Sequence, residues 1–429
     1  MGTCETVDIL LLGAGGREHA LLCKLAESPR AGKIYVAPGN GGMYDLATKV
    51  ELNDEDPVAV AKWARENGIG LVVIGPEAPL VAGVADAVRA AGIPCFGPNG
   101  QAAQMEGSKK FAKQVMSRAG VPTAAYRSFT DEATCAAYVQ QVGGPIVVKA
   151  DGLAAGKGVI VAKTTEEALE GVHECFSGVF GDAGATVVVE EMMEGPECSL
   201  LALTDGKTLV PLATSQDHKR ALDGDLGPNT GGMGVYSPVP MVTDEELETM
   251  IDIEKRVVAE LAAEGITYSG CLYGGFMLTK DGPKVLEFNA RFGDPETQVV
   301  LPRMKADLVD VFLACDNGTL DPKDVRWGDD WAVSVVLTSA GYPGSYEKGK
   351  VISGIEDARA MDGVTVYHAG TRLDDEGRVL TNGGRVLDVT AVAPTFEEAR
   401  NLAYAACEKI DFDGKTYRSD IGLRCIQGR

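Results

Sequence analysis

The sequence lacks the features that would associate it with a membrane or a nucleic acid. No apolar run approaches the roughly 18 residues that span a bilayer. Acidic residues number 62 against 40 basic ones, and the formal net charge is −22. Nucleic acids and anionic membranes require a basic surface, so we predict neither as a partner. Any anionic substrate must therefore be bound by a local cluster of cations.

Cysteine motifs, a leader-like segment and repeats are also missing. The ten cysteines include no CxxC pair, which argues against a zinc ribbon or a dithiol redox motif. No basic region followed by an apolar stretch and a small-residue cleavage site occurs near the N-terminus. We therefore expect a cytoplasmic chain with free, buried thiols. No solenoid repeat or low-complexity segment is present.

The 429 residues suffice for about three domains. Through the first hundred residues, short apolar runs alternate with helical patterns, which predicts a doubly wound parallel sheet. After Asn99 strand patterns dominate, and a shorter α+β module follows. We predict a multidomain α/β and α+β fold with domains at residues 1–107, 108–326 and 327–429.

The first glycine-rich motif, LLGAGGREHA, lies between a predicted strand and a predicted helix. The third glycine of a dinucleotide-binding GxGxxG motif falls on Glu18, and Pro38-Gly39-Asn40 stands where a ribose-binding acid is expected. A nicotinamide or flavin site is therefore disfavoured. The remaining interpretations are a tight turn without a ligand, and a helix N-terminus that offers amides and Arg17 to a phosphate. In the second case Glu18 would accept hydrogen bonds from hydroxyls.

The second motif, KADGLAAGKGVIV, is glycine-rich around Lys157. It contains neither GxxxxGK[ST] nor a following helix, so it is not a Walker A loop. Strand patterns on both sides predict a hairpin flap. Lys149 ends an apolar strand, where an unpaired ammonium would be costly. We interpret Lys149 as a phosphate contact, with a salt-bridged strand end as the alternative.

The third motif, KVLEFNARFGDPETQ, carries candidate metal ligands. Residues two apart on a strand share a face, so Glu287 and Asn289 would present oxygen atoms together while Phe288 packs behind them. Oxygen donors suit Mg²⁺, which completes its shell with water and substrate phosphates. An ordinary solvated strand is the alternative, but Arg291 and Asp294 follow at once.

Two further segments combine glycines with charged residues. SQDHKRALDGDLGPNTGGMG places Asp217 and Lys219 before a glycine loop, and a mobile surface loop is the alternative to a binding site. TNGGRV places Arg385 directly after two glycines, which would also suit a type I′ hairpin turn.

Taken together and in this order, these motifs resemble the ATP-grasp superfamily and, within it, the glycinamide ribonucleotide synthetase family. The resemblance covers almost the whole chain and rests on GGREHAL, VAPGN, GPEAPL, EGSK, VVKADGLAAGKGV, TSQDHKR, GPNTGGMG, EFNARFGDPETQ, HAGT and TNGGRV. It implies a glycine-rich N-terminal domain, an ATP-grasp core made of a flap (about residues 123–192) and a central domain, and a small C-terminal α+β domain. ATP would lie between the flap and central sheets.

The resemblance implies an ATP-dependent ligase of purine biosynthesis that joins glycine to 5-phosphoribosylamine. A carboxylate is a poor electrophile, so glycine would first become glycyl phosphate, which the ribosyl amine then attacks. Both steps build negative charge on oxygen atoms, which cations and Mg²⁺ or Mn²⁺ stabilise.

Roles carried over from the family are expectations for individual residues. Two lysines would reach the ATP phosphates, Lys109 and Lys149. The flap's phosphate loop would include Gly152, Gly156, Lys157 and Gly158. The segment Glu190, Glu191, Met192 and Met193 would meet adenine, with Glu197 on the ribose. Metal ligands would be Glu287 and Asn289, and Arg291 would stabilise the transferring phosphoryl group.

The two substrates would occupy neighbouring positions. Glycine would bind a loop comprising Asn229, Thr230, Gly231 and Gly232, near the catalytic candidates Asp217 and Lys219. Phosphoribosylamine would contact Gly16, Arg17, Glu18, Glu77, Asp294 and Arg385. We expect a monomer, although the sequence does not fix the oligomeric state, and a transient contact with the enzyme that supplies the amine stays open.

One departure and three alternatives accompany the resemblance. Many superfamily members carry another carboxylate ligand on the strand before the metal strand, but YGGFMLT has none, so how two metal ions would be held is open. The alternatives are a sister ATP-grasp ligase, a dinucleotide oxidoreductase and a non-catalytic nucleotide-binding regulator. The sister ligase would lack TSQDHKR with GPNTGGMG.

Overall fold

The computed structural model describes residues 5–153 and 158–427. Its first sheet has five parallel strands, in the order Thr48–Lys49, Ala31–Pro38, Val7–Gly13, Leu71–Ile74 and Cys95–Phe96. Around it run the helices Gly16–Ala26, Pro57–Glu66, Glu77–Val81 and Val84–Ala90. Along the central strand, Ile9 and Leu11 pack into one apolar core while Leu10 and Leu12 pack into another. The predicted doubly wound parallel sheet is confirmed.

The flap is a separate four-stranded antiparallel sheet with its own small core. Its strands, in sheet order, are Tyr126–Phe129, Val187–Glu191, Ile146–Ala150 and Val159–Ala162. Two helices cover it, Glu132–Val142 and Thr165–Phe176. Lys149 pairs with Val159 across the last two strands, so the strands on both sides of the glycine-rich segment form an antiparallel pair, as predicted.

The central sheet is also antiparallel and carries the candidate metal strand at its edge. In sheet order its strands are Leu209–Pro211, Glu197–Asp205, Ser269–Thr279 and Gly282–Asn289. The helices Asp244–Ala263 and Lys109–Ala119 pack beside it. A β-bulge between Gly275 and Phe276 interrupts the pairing just beside Glu287.

Several helices went unpredicted because strand patterns drew attention after Asn99, and three of the longer ones share one local signal. They are Glu132–Val142, Thr165–Phe176 and Asp244–Ala263. Each begins after a side chain that accepts a hydrogen bond from the third amide of the helix: Asp131, Thr164 and Thr243. Thr243 and Glu246 form a complete capping box. These N-cap residues were the local signal that could have located the helices.

The C-terminal sheet recruits two strands from the preceding segment. In sheet order its strands are Gln216–Asp217, Gly234–Ser237, Trp331–Ser339, Arg385–Ala393 and Val364–His368, and Lys415–Thr416 also pairs with the third. The helix Phe396–Lys409 packs on it. The glycine loop between Asp217 and Gly234 is therefore anchored at both ends in this sheet.

Shorter elements complete the fold. Its two-stranded antiparallel sheets pair Arg220–Leu222 with Leu226–Asn229, Met304–Lys305 with Arg326–Trp327, and Thr371–Leu373 with Val379–Thr381. The remaining helices are Gln104–Gly107, Thr297–Val300, Leu308–Asn317, Ile355–Arg359 and Leu423–Gln427. Single 3-10 turns occur at Gly181–Ala185, Asp223–Asp225, Leu301–Arg303 and Pro322–Asp324.

The structure bears on two predictions made from composition, the state of the cysteines and the lack of a membrane-spanning helix. All nine cysteines in this part of the chain are free and seven are buried, as predicted. None of the helices in residues 5–153 and 158–427 has the length and apolar character that a membrane crossing needs.

Candidate active site

Two lysines meet one buried glutamate where the flap joins the central sheet. Lys149 Nζ lies 2.9 Å from Glu190 Oε2, and Lys113 Nζ lies 3.1 Å from Glu190 Oε1. Lys149 also donates to the Leu286 carbonyl at 3.3 Å, which links flap to central sheet. Burial lowers the pKa of Lys113 to about 8, and the charge of Glu190 opposes this shift. Lys149 is thus a salt-bridged strand end in this structure.

Lys113 was missed by sequence reasoning. It lies four residues after Lys109 on the helix Lys109–Ala119, and this spacing places both side chains on one helix face. The spacing was the signal that could have found it.

Lys109 reaches the start of the glycine-rich flap segment. Its Nζ donates to the Gly152 carbonyl at 3.0 Å. Burial lowers the pKa of Lys109, and the charge of Glu287 opposes that shift. Gly152 has a φ of +105°, which favours glycine. Gly158 precedes the strand Val159–Ala162. Of the predicted phosphate loop, Gly156 and Lys157 lie outside the described residues.

The predicted adenine segment leaves the flap sheet at Glu191. Glu191 Oε1 accepts from the Ala125 amide at 3.1 Å, and Met192 and Met193 follow without regular structure and are half-buried. Glu197 starts the next central strand. Burial raises the pKa of its carboxyl, and the negative charge of Asp217 adds to the rise.

The candidate metal ligands lie at the end of the strand Gly282–Asn289. Glu287 pairs with Gly275 and Asn289 with Tyr273, so the two share a face while Phe288 is buried. Burial alone would raise the pKa of the Glu287 carboxyl. Four cations outweigh that effect and lower the pKa: Lys219, Lys149, Lys109 and Arg291. Glu287 is therefore held as an anion among positive groups.

Asn289 supports the same interpretation. Its Nδ2 is buried without a hydrogen-bond partner among the described residues, and its Oδ1 accepts from Arg291 at 3.3 Å. Across the described part of the chain, no three His, Cys, Asp or Glu side chains come together as a metal site. One carboxylate and one amide still fit Mg²⁺, because phosphate oxygens and water complete its shell.

Arg291 is held by two carboxylates from different elements. Its Nη2 donates to Glu106 Oε1 at 2.7 Å, and its Nε lies 3.5 Å from Glu77 Oε2. Burial would lower the pKa of the guanidinium, but these carboxylates outweigh it and raise the pKa. Glu106 also accepts from the Ala290 amide at 2.8 Å. Sequence reasoning assigned Glu106 no role, although it begins the EGSK motif.

The glycine-rich N-terminal turn encloses Glu18. Glu18 Oε2 accepts from the Gly15 amide at 2.6 Å, and a Cβ on Gly75 would lie 2.1 Å from Glu18 Oε1. Arg17 donates to Glu18 at 2.5 Å and to the Phe292 carbonyl at 3.0 Å. The chain's own carboxylate therefore caps this helix N-terminus, and a phosphate there stays a prediction.

Asp217 and Lys219 form an ion pair beside the glycine loop. Lys219 Nζ lies 2.8 Å from Asp217 Oδ2. Burial would lower the pKa of Lys219, but Asp217 and nearby groups outweigh it and raise the pKa well above its usual value. Thr230 donates to the Lys219 carbonyl at 2.8 Å and accepts from the Gly232 amide at 3.0 Å. Gly232 has a φ of +122°, and a Cβ at this position would lie only 2.5 Å from Pro295 Cδ.

The loop is joined to the C-terminal domain by Arg385. Its Nη1 donates to the carbonyls of Gly231 at 3.0 Å and Asp294 at 2.9 Å, and its Nη2 lies 3.2 Å from Asp294 Oδ2. Asn229 lies nearby in the sequence and is exposed at the end of a hairpin strand. The strands before and after TNGGRV do not pair with each other, so this segment is not a simple hairpin turn.

A cavity of 340 Å³ opens beside Arg385 and Asp294. Its remaining lining is Ala14, Gly15, Gly39, Asn40, Tyr342, Ala369, Gly370, Thr371 and Asn382. The lining comes from the N-terminal domain, the segment after the metal strand and the C-terminal domain. Within the described residues, the predicted nucleotide and phosphoribosylamine groups therefore form two neighbouring clusters, which Arg291 and Glu77 connect.

Family models match nearly the whole chain in three consecutive segments. Residues 7–106 match the N domain of phosphoribosylglycinamide synthetase, residues 107–297 its ATP-grasp (A) domain, and residues 332–424 its C domain. The chain belongs to this family. Among related proteins, a phosphoribosylamine-glycine ligase of Rhizobium meliloti (strain 1021) is 50% identical over 421 residues, which cover 98% of this chain and 99% of the relative.

Solved structures agree with membership of the phosphoribosylglycinamide synthetase family. The crystal structure of a phosphoribosylamine-glycine ligase from Thermotoga maritima superposes with a TM-score of 0.84 at 34% identity, covering 97% of this chain and 100% of that one. A biotin carboxylase from Campylobacter jejuni shares the fold, with a TM-score of 0.74 at 14% identity over 97% and 94% of the two chains. The predicted family and fold class are confirmed.

Proposed function

We propose that this chain joins glycine to 5-phosphoribosylamine, converting ATP to ADP and phosphate through glycyl phosphate. The observation that carries the proposal is the pair of clusters linked by Arg291, within a chain that matches all three family domains. Cations of the nucleotide cluster would face phosphate oxygens. Carboxylates and amides of the second cluster would hold a ribosyl amine.

ATP would bind between the flap and the central sheet. Lys109 and Lys149 reach this space from opposite sides, and Lys149 already contacts both sheets. We expect Lys149 to exchange part of its interaction with Glu190 for phosphate oxygens, while Lys113 keeps that carboxylate paired. Glu190 would thus hold the lysine in position before nucleotide arrives.

Glu287 and Asn289 would hold a divalent cation. We propose Mg²⁺ as the ion, with Mn²⁺ as a working substitute, because both prefer oxygen ligands. When bound, it would neutralise phosphate charge during transfer. Arg291 would contribute from the protein side, because its guanidinium lies beside Asn289 and would stabilise the negative charge of the acyl phosphate.

Glycine would bind where Lys219, Asp217 and the glycine loop converge. The ammonium of Lys219 suits the substrate carboxylate, and Asp217 suits the substrate amine. Thr230 fixes the loop against the Lys219 backbone, so the loop conformation and the ion pair are coupled. Gly231 and Gly232 let this loop pack closely, since a Cβ would lie 3.0 Å from Arg385 Cζ at the first position and 2.5 Å from Pro295 Cδ at the second.

Phosphoribosylamine would occupy the cleft between Arg17, Glu77, Asp294 and Arg385, beside the 340 Å³ cavity. Its amine must be neutral to attack glycyl phosphate, and carboxylates can hold it by accepting N–H hydrogen bonds. Charged groups of a single chain suffice to form this cleft, and we propose that the protein acts as a monomer. Because ATP and both substrates are soluble metabolites, we place the reaction in the cytoplasm.

Arg17→Ala is expected to weaken the use of phosphoribosylamine without changing ATP affinity. The guanidinium bridges Glu18, Glu77 and the Phe292 carbonyl, so its loss leaves the cleft carboxylates poorly placed. We expect KM for phosphoribosylamine to rise about tenfold to a hundredfold, as for a lost charged hydrogen bond of roughly 1.5–3 kcal/mol. Arg65→Ala, an exposed position in the same domain, is the control. Weakened ATP binding would instead assign Arg17 to the nucleotide site.

ADP release tests the proposed reaction. The amine is generated in the assay from ribose 5-phosphate and ammonia, with ATP and Mg²⁺ present. Stoichiometric ADP that requires both glycine and the amine supports the ligase. Sustained ADP release without glycine, or none with folded protein, would contradict the proposal.

A further inference from the structure

One buried acid beneath the proposed phosphoribosylamine cleft has no role in the reaction described so far. Asp388, on the strand Arg385–Ala393, is 1% exposed. Its Oδ2 accepts from Gln298 Nε2 at 3.3 Å, and its Oδ1 has no hydrogen-bond partner among the described residues. A Cβ on Gly16 would lie 2.0 Å from Oδ2, so the carboxyl packs directly under the glycine-rich turn.

Gln298 connects this acid to the cleft. The same Nε2 that donates to Asp388 also donates to Asp294 Oδ1 at 2.8 Å. The other oxygen of Asp294 lies 3.2 Å from Arg385 Nη2. One amide nitrogen therefore holds two carboxyl groups, one buried and one that fixes the arginine lining the cavity.

We propose that Asp388 is a positioning residue that works in its neutral, protonated form and keeps Gln298, Asp294 and Arg385 in place for phosphoribosylamine. The inference rests on the proposed location of that substrate beside Arg385. Asp388 itself touches no substrate, since the turn at Gly16 covers it.

Because Asp388 and Asp294 share one hydrogen-bond donor, Gln298 Nε2, the charge of Asp388 affects the position of Asp294. With Asp388 neutral, Gln298 joins one anion and one neutral acid. With Asp388 ionised, two like charges compete for a single NH₂ group next to a carboxyl that is fully buried, and repulsion displaces Asp294 from Gln298 or from Arg385.

The charged and titratable groups around Asp388 favour the neutral form. Burial is the largest effect, the negative charge of Asp294 adds to it, and Arg385 and the Gln298 hydrogen bond oppose it; together they raise the pKa of Asp388 to about 7. From the neighbouring strand Tyr367 stands directly opposite, with its own pKa raised by burial, so it is neutral. Protonation would therefore be lost as pH rises through about 7.

The test measures binding of glycinamide ribonucleotide, the stable product, by calorimetry from pH 6 to pH 8.5. We compare wild type with Asp388→Asn, which keeps the shape and stays neutral. Each pH unit above the pKa of an acid that must be protonated weakens binding up to about tenfold. With a pKa of about 7 for Asp388, we expect the ratio of wild-type to variant Kd to rise about thirtyfold across this range. Titration of the ligand itself cancels in this ratio.

Controls separate this inference from the proposed location of the substrate. Arg385→Met should lose binding at every pH; if it binds like wild type, the location is wrong. If Arg385→Met loses binding while wild type and Asp388→Asn share one pH profile, the role of Asp388 is overturned. Asp357→Asn, an exposed acid in the same domain, should follow wild type.

A second variant covers the case in which Asp388→Asn fails to fold. Gln298→Met is then measured at pH 6. Weaker binding than wild type supports the connection from Asp388 through Gln298 to Asp294, and unchanged binding overturns it.

Discussion

Replacing Glu287 by alanine is expected to lower kcat/KM for ligation about a thousandfold. Charge stabilisation of several kcal/mol is lost with a metal ligand, and each 1.4 kcal/mol is about tenfold in rate. The fold should persist, because Glu287 is only half-buried at a strand end. Steady-state ADP release gives the rate, and circular dichroism checks the fold.

A matched control lies at the other end of the same strand pair. Asp281 is exposed in the turn between the last two central strands, so Asp281→Ala should leave the rate unchanged. Near-normal turnover by Glu287→Ala, with Mg²⁺ dependence retained, would show that the ion is held elsewhere.

The second large effect is expected at Glu190, on the stability of the flap. Glu190→Gln keeps the shape but leaves the ammonium groups of Lys113 and Lys149 buried without a counter-charge. Breaking a buried pair in this way costs about 3–5 kcal/mol. Hydrogen exchange in Ile146–Ala150 and Val187–Glu191 should therefore accelerate about a hundredfold or more, since it reports the local free energy of opening.

Glu191 provides the control for this prediction. It is adjacent and exposed, and its carboxylate accepts one hydrogen bond from the Ala125 amide. Glu191→Gln should change flap exchange by less than about fivefold, corresponding to roughly 1 kcal/mol. Equal effects of the two variants would mean that the buried triad does not stabilise the flap.

The sequence was sufficient to predict the strands that consist of nearly continuous apolar runs. Leu71–Ile74 is the clearest example, because all four of its residues are apolar and buried. The helix Asp244–Ala263 was missed because its apolar positions are spread among charged ones, although its capping box was visible at Thr243.

Contacts between residues far apart in the sequence could not be predicted from the sequence alone. Glu106 and Arg291 are 185 positions apart, and Gln298 and Asp388 are 90 apart. Neither Glu106 nor Asp388 stands out locally, because an acid in an apolar strand or a short helix has many uses. Only the fold shows that one holds a catalytic candidate and the other lies under the cleft.

The central claim is that glycine is activated as an acyl phosphate. Glycine labelled with ¹⁸O in its carboxylate is converted with ATP, Mg²⁺ and phosphoribosylamine, and the released phosphate is analysed by mass spectrometry. We predict that one ¹⁸O atom moves from glycine to phosphate in each turnover. Product formed with unlabelled phosphate would contradict the account.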